Sequence, residues 1–205
     1  MQTAYVETKG VVVRHPAAKR VQSDRDLLTS IAAGDRPAMR VFYDRYNVQV
    51  YRFVLRLIRD ASKAEDVVSE VFFVVWRQAG RFEYRSKVST WVLAIARYKA
   101  ISVMQQRQDE PLEDAGVQEI IDQANDSQVA LEKKDTGAVL RGCLTKLSAK
   151  HREVIDLVYY HEKSVNEAAE IIGVPTNTVK TRLFYARQQM RKLYEQTAGA
   201  ARSAA

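Results

Sequence analysis

Apolar residues recur along this chain at spacings of three and four, the period of an amphipathic helix, and they fall into two groups of helices. In the first group Ser23 or Asp24 caps a short helix reaching Ala33. Gly34-Asp35 closes it and opens the next, with Pro37 in the first turn, where its missing N–H costs nothing. That second helix runs to about Ile58 and turns Met39, Phe42, Tyr46, Val50, Phe53, Val54 and Leu57 inward. Ser62-Lys-Ala-Glu65 reads as a capping box, after which Ala64, Val67, Val68, Val71, Phe72 and Val75 form one apolar stripe. Asp66, Ser69, Glu70 and Arg77 point elsewhere. A loop over 80–87 follows, and Ser89 or Thr90 starts a fourth helix through Trp91, Val92, Ile95, Ala96 and Ile101.

The second group begins with a helix from about Ser127 to Leu147, presenting Val129, Leu131, Val139, Leu140, Cys143, Leu144 and Leu147. Ser148 caps another that reaches Tyr159. Ser164-Val-Asn-Glu167 is a second capping box, leading into Ala168-Ala-Glu-Ile-Ile172, and Gly173-Val-Pro175 makes a turn. Thr176 or Asn177 opens the last helix through Val179, Leu183, Ala186, Met190 and Leu193. A short helix, a glycine turn and a longer basic helix have helix-turn-helix geometry. The expectation is an all-α chain of two small helical domains.

Charge divides the chain at the same places. Residues 22–107 hold 15 basic and 9 acidic residues, and residues 136–205 hold 11 and 6. Between them, residues 108–135 hold 9 acidic residues against 2 basic ones, with Pro111 and Gly116 and no long periodic run, so this stretch reads as an acidic linker. The expected division is a tail at 1–21, a first domain at 22–107, a linker at 108–127, a second domain at 128–195 and a tail at 196–205. Two basic lobes on an acidic tether suggest a polyanion touched at two places.

Composition narrows the class further. With 46% hydrophobic and 28% charged residues over 205 positions, the chain is neither disordered nor fibrous. A single cysteine, Cys143, allows no internal disulfide and no Cys-rich metal site, which suits a reducing compartment. The early apolar run Val11–Val13 is too short for an export signal, and no stretch approaches the ~18 apolar residues of a spanning helix. The cytoplasm is therefore the expected location, without membrane insertion. Asp66 and Glu70 lie one turn apart and could share a divalent ion, but no third ligand is near; no metal or cofactor is expected. His151 and His161 are expected to be solvated.

Two stretches carry a family resemblance. Ala64-Glu-Asp-Val-Val-Ser-Glu-Val-Phe-Phe-Val-Val-Trp-Arg-Gln-Ala-Gly-Arg-Phe82, followed by Ser89-Thr-Trp-Val-Leu-Ala-Ile-Ala-Arg97, resembles region 2 of bacterial sigma factors. Leu147-Ser-Ala-Lys-His-Arg-Glu-Val-Ile155 and Glu167-Ala-Ala-Glu-Ile-Ile-Gly-Val-Pro-Thr-Asn-Thr-Val-Lys-Thr-Arg-Leu-Phe-Tyr-Ala-Arg187 resemble region 4. The short form is similar to the extracytoplasmic-function (ECF) group of the sigma-70 family. The last helix falls close to residue 205, so the extra C-terminal domain that some relatives carry is not expected.

The resemblance implies a transcription initiation factor rather than an enzyme, with core RNA polymerase, promoter DNA and an anti-sigma factor as partners. Asp66, Ser69 and Glu70 would meet the β′ clamp helices, Ser69 standing where glutamine is usual. Tyr84, Arg85, Lys87, Trp91, Arg97, Lys99 and Arg107 would face the minus-10 element. The spacing of Trp91 to Ile95 also suits the core. Ala94 and Ile95 replace the tryptophan pair of housekeeping members, and Ser102, Gln105 and Gln106 make the end of this helix less basic than is common. In region 4, which would also dock on the β flap, Thr176, Asn177, Thr178, Lys180 and Thr181 are the base-facing candidates at the minus-35 element. Arg182, Tyr185 and Arg187 would hold phosphates. The rival readings are a helix-turn-helix activator with a sensor lobe and a metal-dependent nucleic-acid hydrolase.

Overall fold

The computed structural model describes residues 22–108 and 130–203, so the N-terminal tail and nearly all of the acidic linker lie outside the described residues. Among the described residues every regular element is helical. Helix α1 (Asp24–Ala32) is capped by Ser23, whose hydroxyl accepts from the Asp26 N–H while the Asp26 carboxylate accepts from the Ser23 N–H. Helix α2 (Arg36–Ile58) starts from Asp35 with Pro37 in its first turn and ends on Arg59, which takes a left-handed φ of 59°. Its last buried side chain is Ile58, with Leu57 only half-buried.

Helix α3 (Ala61–Gln78) corrects one expectation. Its cap is Asp60, which accepts from the Lys63 N–H, so Ser62 and Glu65 lie inside the helix and form no capping box. Asp60, two residues upstream, makes a charge-assisted bond to the Lys63 N–H, so the helix begins before Ser62 can cap it. A 3-10 turn, Ala79–Arg81, then leads toward helix α4 (Val88–Gln108). This helix also begins ahead of Ser89 and Thr90: the Thr90 and Trp91 N–H groups donate to the Lys87 carbonyl, and Thr90 is fully buried within the helix.

The second group comprises α5 (Ala130–Thr145), α6 (Ala149–Ile155), α7 (Val165–Ile172) and α8 (Thr176–Ser203). Ser148 caps α6, and the Ser164–Glu167 box caps α7 reciprocally, as the spacing predicts. Gly173 ends α7 at a φ of 72°, the left-handed region that favours glycine, and sets the turn into α8. Helix α6 does not continue to Tyr159 in α geometry. It widens into a π turn over Asp156–Tyr160, which buries Asp156 and Leu157 while Tyr159 and Tyr160 stay exposed.

Helices α2, α3 and α4 pack mutually, with α1 laid across α2, and α8 packs on α5, α6 and α7. The two groups are not separate: α4 also packs against α7, and the buried apolar residues from Leu27 to Ala186 form one continuous cluster. Phe42, Phe53, Leu93 and Leu157 are among its largest fully buried members. No helix among the described residues is long and apolar enough to cross a membrane.

Two substitutions test this account. Phe42→Ala is expected to cost about 3–5 kcal/mol, read as a lower denaturant midpoint at unchanged slope. Ser164→Ala, which leaves the first-turn N–H groups of α7 uncapped, is expected to cost about 1 kcal/mol in the same assay.

Candidate functional site

The candidate residues lie on three surfaces. On α3, Asp66, Ser69 and Glu70 are all exposed on one helical face. The Ser69 hydroxyl donates back to the Glu65 carbonyl at 3.2 Å, and Glu70 accepts from Lys99 Nζ at 2.8 Å. Two side chains assigned to different partners are thus joined, and the acidic face of α3 abuts the basic face of α4.

The second surface surrounds the start of α4. Tyr84 holds a left-handed φ of 56°, with its hydroxyl donating to the Arg25 carbonyl and the Arg25 guanidinium lying 4.3 Å from its ring centre. Phe82 meets Tyr84 edge-on at 4.9 Å and stacks on Trp91 at 4.8 Å. Half-buried Trp91 is therefore part of an aromatic cluster that braces the loop. Arg85 is exposed and paired with Glu83, whereas Arg107 belongs to the last turn of α4, where side chains lie outside the described residues. Phe73, Val74, Arg77, Gln78, Arg81 and Lys99 line a cleft of about 320 Å³ between α3 and α4. The sequence reading passed over this cleft apart from Lys99, although Phe73, Arg77 and Arg81 follow at helical spacing off the apolar stripe.

Arg97 of α4 and Lys87, just ahead of that helix, are engaged by the second group. Arg97 Nε donates to Glu153 Oε1 at 2.6 Å, and Lys87 Nζ lies 3.1 Å from Glu167 Oε1. Thr90 donates to the same Glu167 oxygen at 3.2 Å, and Lys163 Nζ donates to the Ser89 hydroxyl at 2.6 Å. Deeper in, Arg56 of α2 pairs with Asp156, whose second oxygen lies 3.4 Å from His161 Nε2. His161 is buried with its ring edge-on to Phe53 at 88°, which overturns the solvated reading of this residue. His151 is half-buried and bonded to Gln189. Periodicity within one lobe cannot reveal such residues, because a position that faces another domain looks like a solvated one.

Burial shifts two of these groups. It pushes the Lys163 ammonium down, against the opposing pull of Glu167. It draws the Glu167 carboxyl upward, but the Ser164 N–H and hydroxyl together with Lys87 outweigh it and hold the group down at about 2.

The third surface is the start of α8. Asn177, Lys180 and Thr181 are exposed at i, i+3 and i+4, with the Thr181 hydroxyl turned back to the Asn177 carbonyl. Phe184, 62% exposed, completes this face at i+7; its spacing alone marks it, and the sequence reading did not include it. Thr176 donates to Asn166, tying α8 to α7, while Thr178 and Arg182 are half-buried. Tyr185 is exposed against Phe184, and Arg187 Nε donates to the Tyr159 hydroxyl at 2.7 Å. The described residues contain no group of three or more His, Cys, Asp or Glu able to hold a metal ion.

Residues 42–110 match the family described as Sigma-70 region 2, and residues 143–192 match Sigma-70, region 4. Together the two matches span more than half of the chain. The ECF RNA polymerase sigma factor SigW of Bacillus subtilis is 29% identical over 177 residues, covering 80% of this chain and 93% of that protein. SigK of Mycobacterium tuberculosis is 28% identical over 183 residues, covering 84% and 94%. The sigma factor RpoE of Bartonella quintana, solved in complex with the anti-sigma factor NepR, aligns with a TM-score of 0.57 at 26% identity, covering 75% of this chain and 96% of that one. CnrH, solved with the cytosolic domain of CnrY, shares the fold with a TM-score of 0.62 at 21% identity over 84% and 97%.

The Glu167 environment makes a pH prediction. A carboxyl held at about 2 in the fold against an ordinary 4.5 stabilises the chain fully above about pH 4.5 and loses that contribution as the pH falls through about 2. Glu167→Gln is expected to be less stable than the parent at neutral pH and to converge with it toward pH 2. A thermal-melt difference that is constant across this range would contradict the assignment.

Proposed function

This chain belongs to the sigma-70 family as an ECF RNA polymerase sigma factor, which binds core polymerase, recognises minus-10 and minus-35 promoter elements and promotes transcription initiation, and we propose that it divides this work among three surfaces. The exposed face of Asp66, Ser69 and Glu70 meets the β′ clamp helices, where an i, i+4 acidic pair suits basic partners. Helix α4 and the loop before it, with Tyr84, Arg85, Lys87, Trp91, Arg97, Lys99 and Arg107, take the minus-10 element. Opening DNA requires cations for phosphates and aromatic faces for unstacked bases, and this segment interleaves both.

The N-terminal turns of α8 read the minus-35 element through Asn177, Lys180 and Thr181 in the major groove. Thr176 and Thr178 flank them, and Arg182, Tyr185 and Arg187 hold phosphates. The observation that carries this reading is the order of the two matched regions, each coinciding with one of these basic helical surfaces. The second lobe also docks on the β flap. The factor works in the cytoplasm, makes and breaks no covalent bond of its own, and leaves the chemistry to the polymerase. An anti-sigma factor restrains it, a reading supported by the similar RpoE having been solved with one.

Co-elution of the chain with core polymerase on gel filtration is the first test, and two separate peaks would sink the reading. Within the holoenzyme, Lys180→Ala is expected to weaken binding to minus-35 duplex by about 1–3 kcal/mol. Asp66→Ala is expected to slow association with core polymerase and flatten its salt dependence, with the minus-35 affinity of the assembled holoenzyme unchanged. Equal loss in both assays for either variant would contradict the division of labour.

A further inference from the structure

Helix α1 touches the loop that leads into α4 at two separate points. Leu27, Leu28 and Ile31 anchor the helix in the core, which makes it a firm base for both contacts. At one end α1 packs on the 3-10 turn, where a methyl group added to Gly80 would stand 3.4 Å from the Ala32 Cβ. At the other end, seven residues and about 10 Å of helix away, the Arg25 guanidinium covers one face of the Tyr84 ring at 4.3 Å.

The loop depends on such a fastening. Phe82 donates its N–H to the Ala79 carbonyl, and the next backbone bond found among the described residues is at Lys87, so residues 83–86 are held by their side chains. The Glu83–Arg85 pair is exposed on both sides and contributes little. That leaves Tyr84, whose φ of 56° costs a non-glycine residue free energy that its side-chain contacts have to offset. Its hydroxyl bond to the Arg25 carbonyl is long at 3.4 Å, and that carbonyl also accepts from the Thr29 hydroxyl at 2.9 Å, so the stack on the guanidinium is the stronger contact. The carboxylates on either side of Arg25 are engaged elsewhere: Asp24 binds Arg45 and Tyr46, and Asp26 binds Ser23.

We infer that Arg25 of α1 is a positioning residue for minus-10 recognition, holding the Tyr84 ring and thereby the loop that presents Arg85. This rests on the proposed place of the loop at the minus-10 element and goes beyond it, because it brings α1 into that task and changes the part played by Tyr84. With one face under Arg25 and Phe82 edge-on to it at 4.9 Å, the ring is a brace for its neighbours. Arg25 acts through it and not on the DNA.

The test uses the full chain assembled with core polymerase, on a promoter that the unaltered holoenzyme selects from a randomised library, with 2-aminopurine in the minus-10 element reporting strand opening. Arg25 is exposed in the first turn of α1, and alanine suits a helix, so Arg25→Ala keeps the fold. It is expected to slow opening about fivefold, the scale of one exposed cation–π contact, and to broaden the set of minus-10 sequences selected. Arg25→Lys, which keeps a cation over the ring, restores most of the rate. Tyr84→Gly separates position from strain: glycine relieves the backbone but removes the ring, and opening is expected to slow as it does in Arg25→Ala. An unaltered rate in either variant would overturn the inference. So would a salt slope reduced by about one phosphate contact in Arg25→Ala with the minus-10 preference unchanged, which is the mark of direct binding. A photocrosslinking p-benzoylphenylalanine in place of exposed Glu83 separates the two readings. No crosslink to the minus-10 strand would remove the loop from that element and this inference with it, whereas a crosslink combined with unchanged opening in Arg25→Ala would overturn the inference alone.

Discussion

A carboxylate taken out of water must find a cation, and in this fold that requirement joins two domains whose net charges repel. Glu153 and Asp156 are buried on α6 and the turn that follows it; Arg97 and Arg56 supply the positive charge from across the boundary, and within its own lobe Asp156 meets only the His161 ring, 3.4 Å from its second oxygen, among the described contacts. Such pairs add little net stability, because desolvation of both ions offsets most of their attraction. Their effect is on specificity: loss of one partner strands the other charge, so only one docking orientation satisfies all of them at once. Helix α4 is the element common to everything else, packed on α2 and α3 on one side and on α7 on the other.

The modest positive charge of the chain thus conceals three levels of sorting. Basic lobes flank an acidic linker, and within the basic second lobe three of the six acidic residues of 136–205 are turned to the first lobe, Glu153 and Glu167 toward α4 and its start and Asp156 toward Arg56 of α2, while Lys180 and Arg187 are exposed on α8. On the first lobe the Glu70–Lys99 pair marks the seam where an acidic helix face meets a basic one. The acidic and the basic face are thereby kept one helix apart.

Much of this fold is readable from local chemistry. The Ser164–Glu167 box, the Gly173 turn and the apolar stripes of α2 and α3 follow from spacing and residue type alone. The starts of α3 and α4 do not, because Asp60 and the Lys87 carbonyl compete with the more familiar Ser and Thr caps. The family motifs direct attention to α3, α4 and α8. They are silent on Glu153, Asp156, His161 and Thr90, whose burial depends on a neighbour more than fifty residues away in sequence; Thr90 meets Glu167 and Arg97 meets Glu153. A polar residue between two domains carries no periodic mark that distinguishes it from one in water.

The π turn at Asp156–Tyr160 makes length, as well as residue type, a matter of selection. Each residue of an α-helix advances about 100° around its axis, so one residue more or fewer between Ser148 and Asp156 would swing Asp156 away from Arg56 and put Ile155 or Leu157 in its place. Descendants of this chain are freer to exchange side chains along α6 than to gain or lose a single position there. Insertions and deletions should accumulate elsewhere, and the register of this one short segment can serve as a ruler for comparing distant relatives.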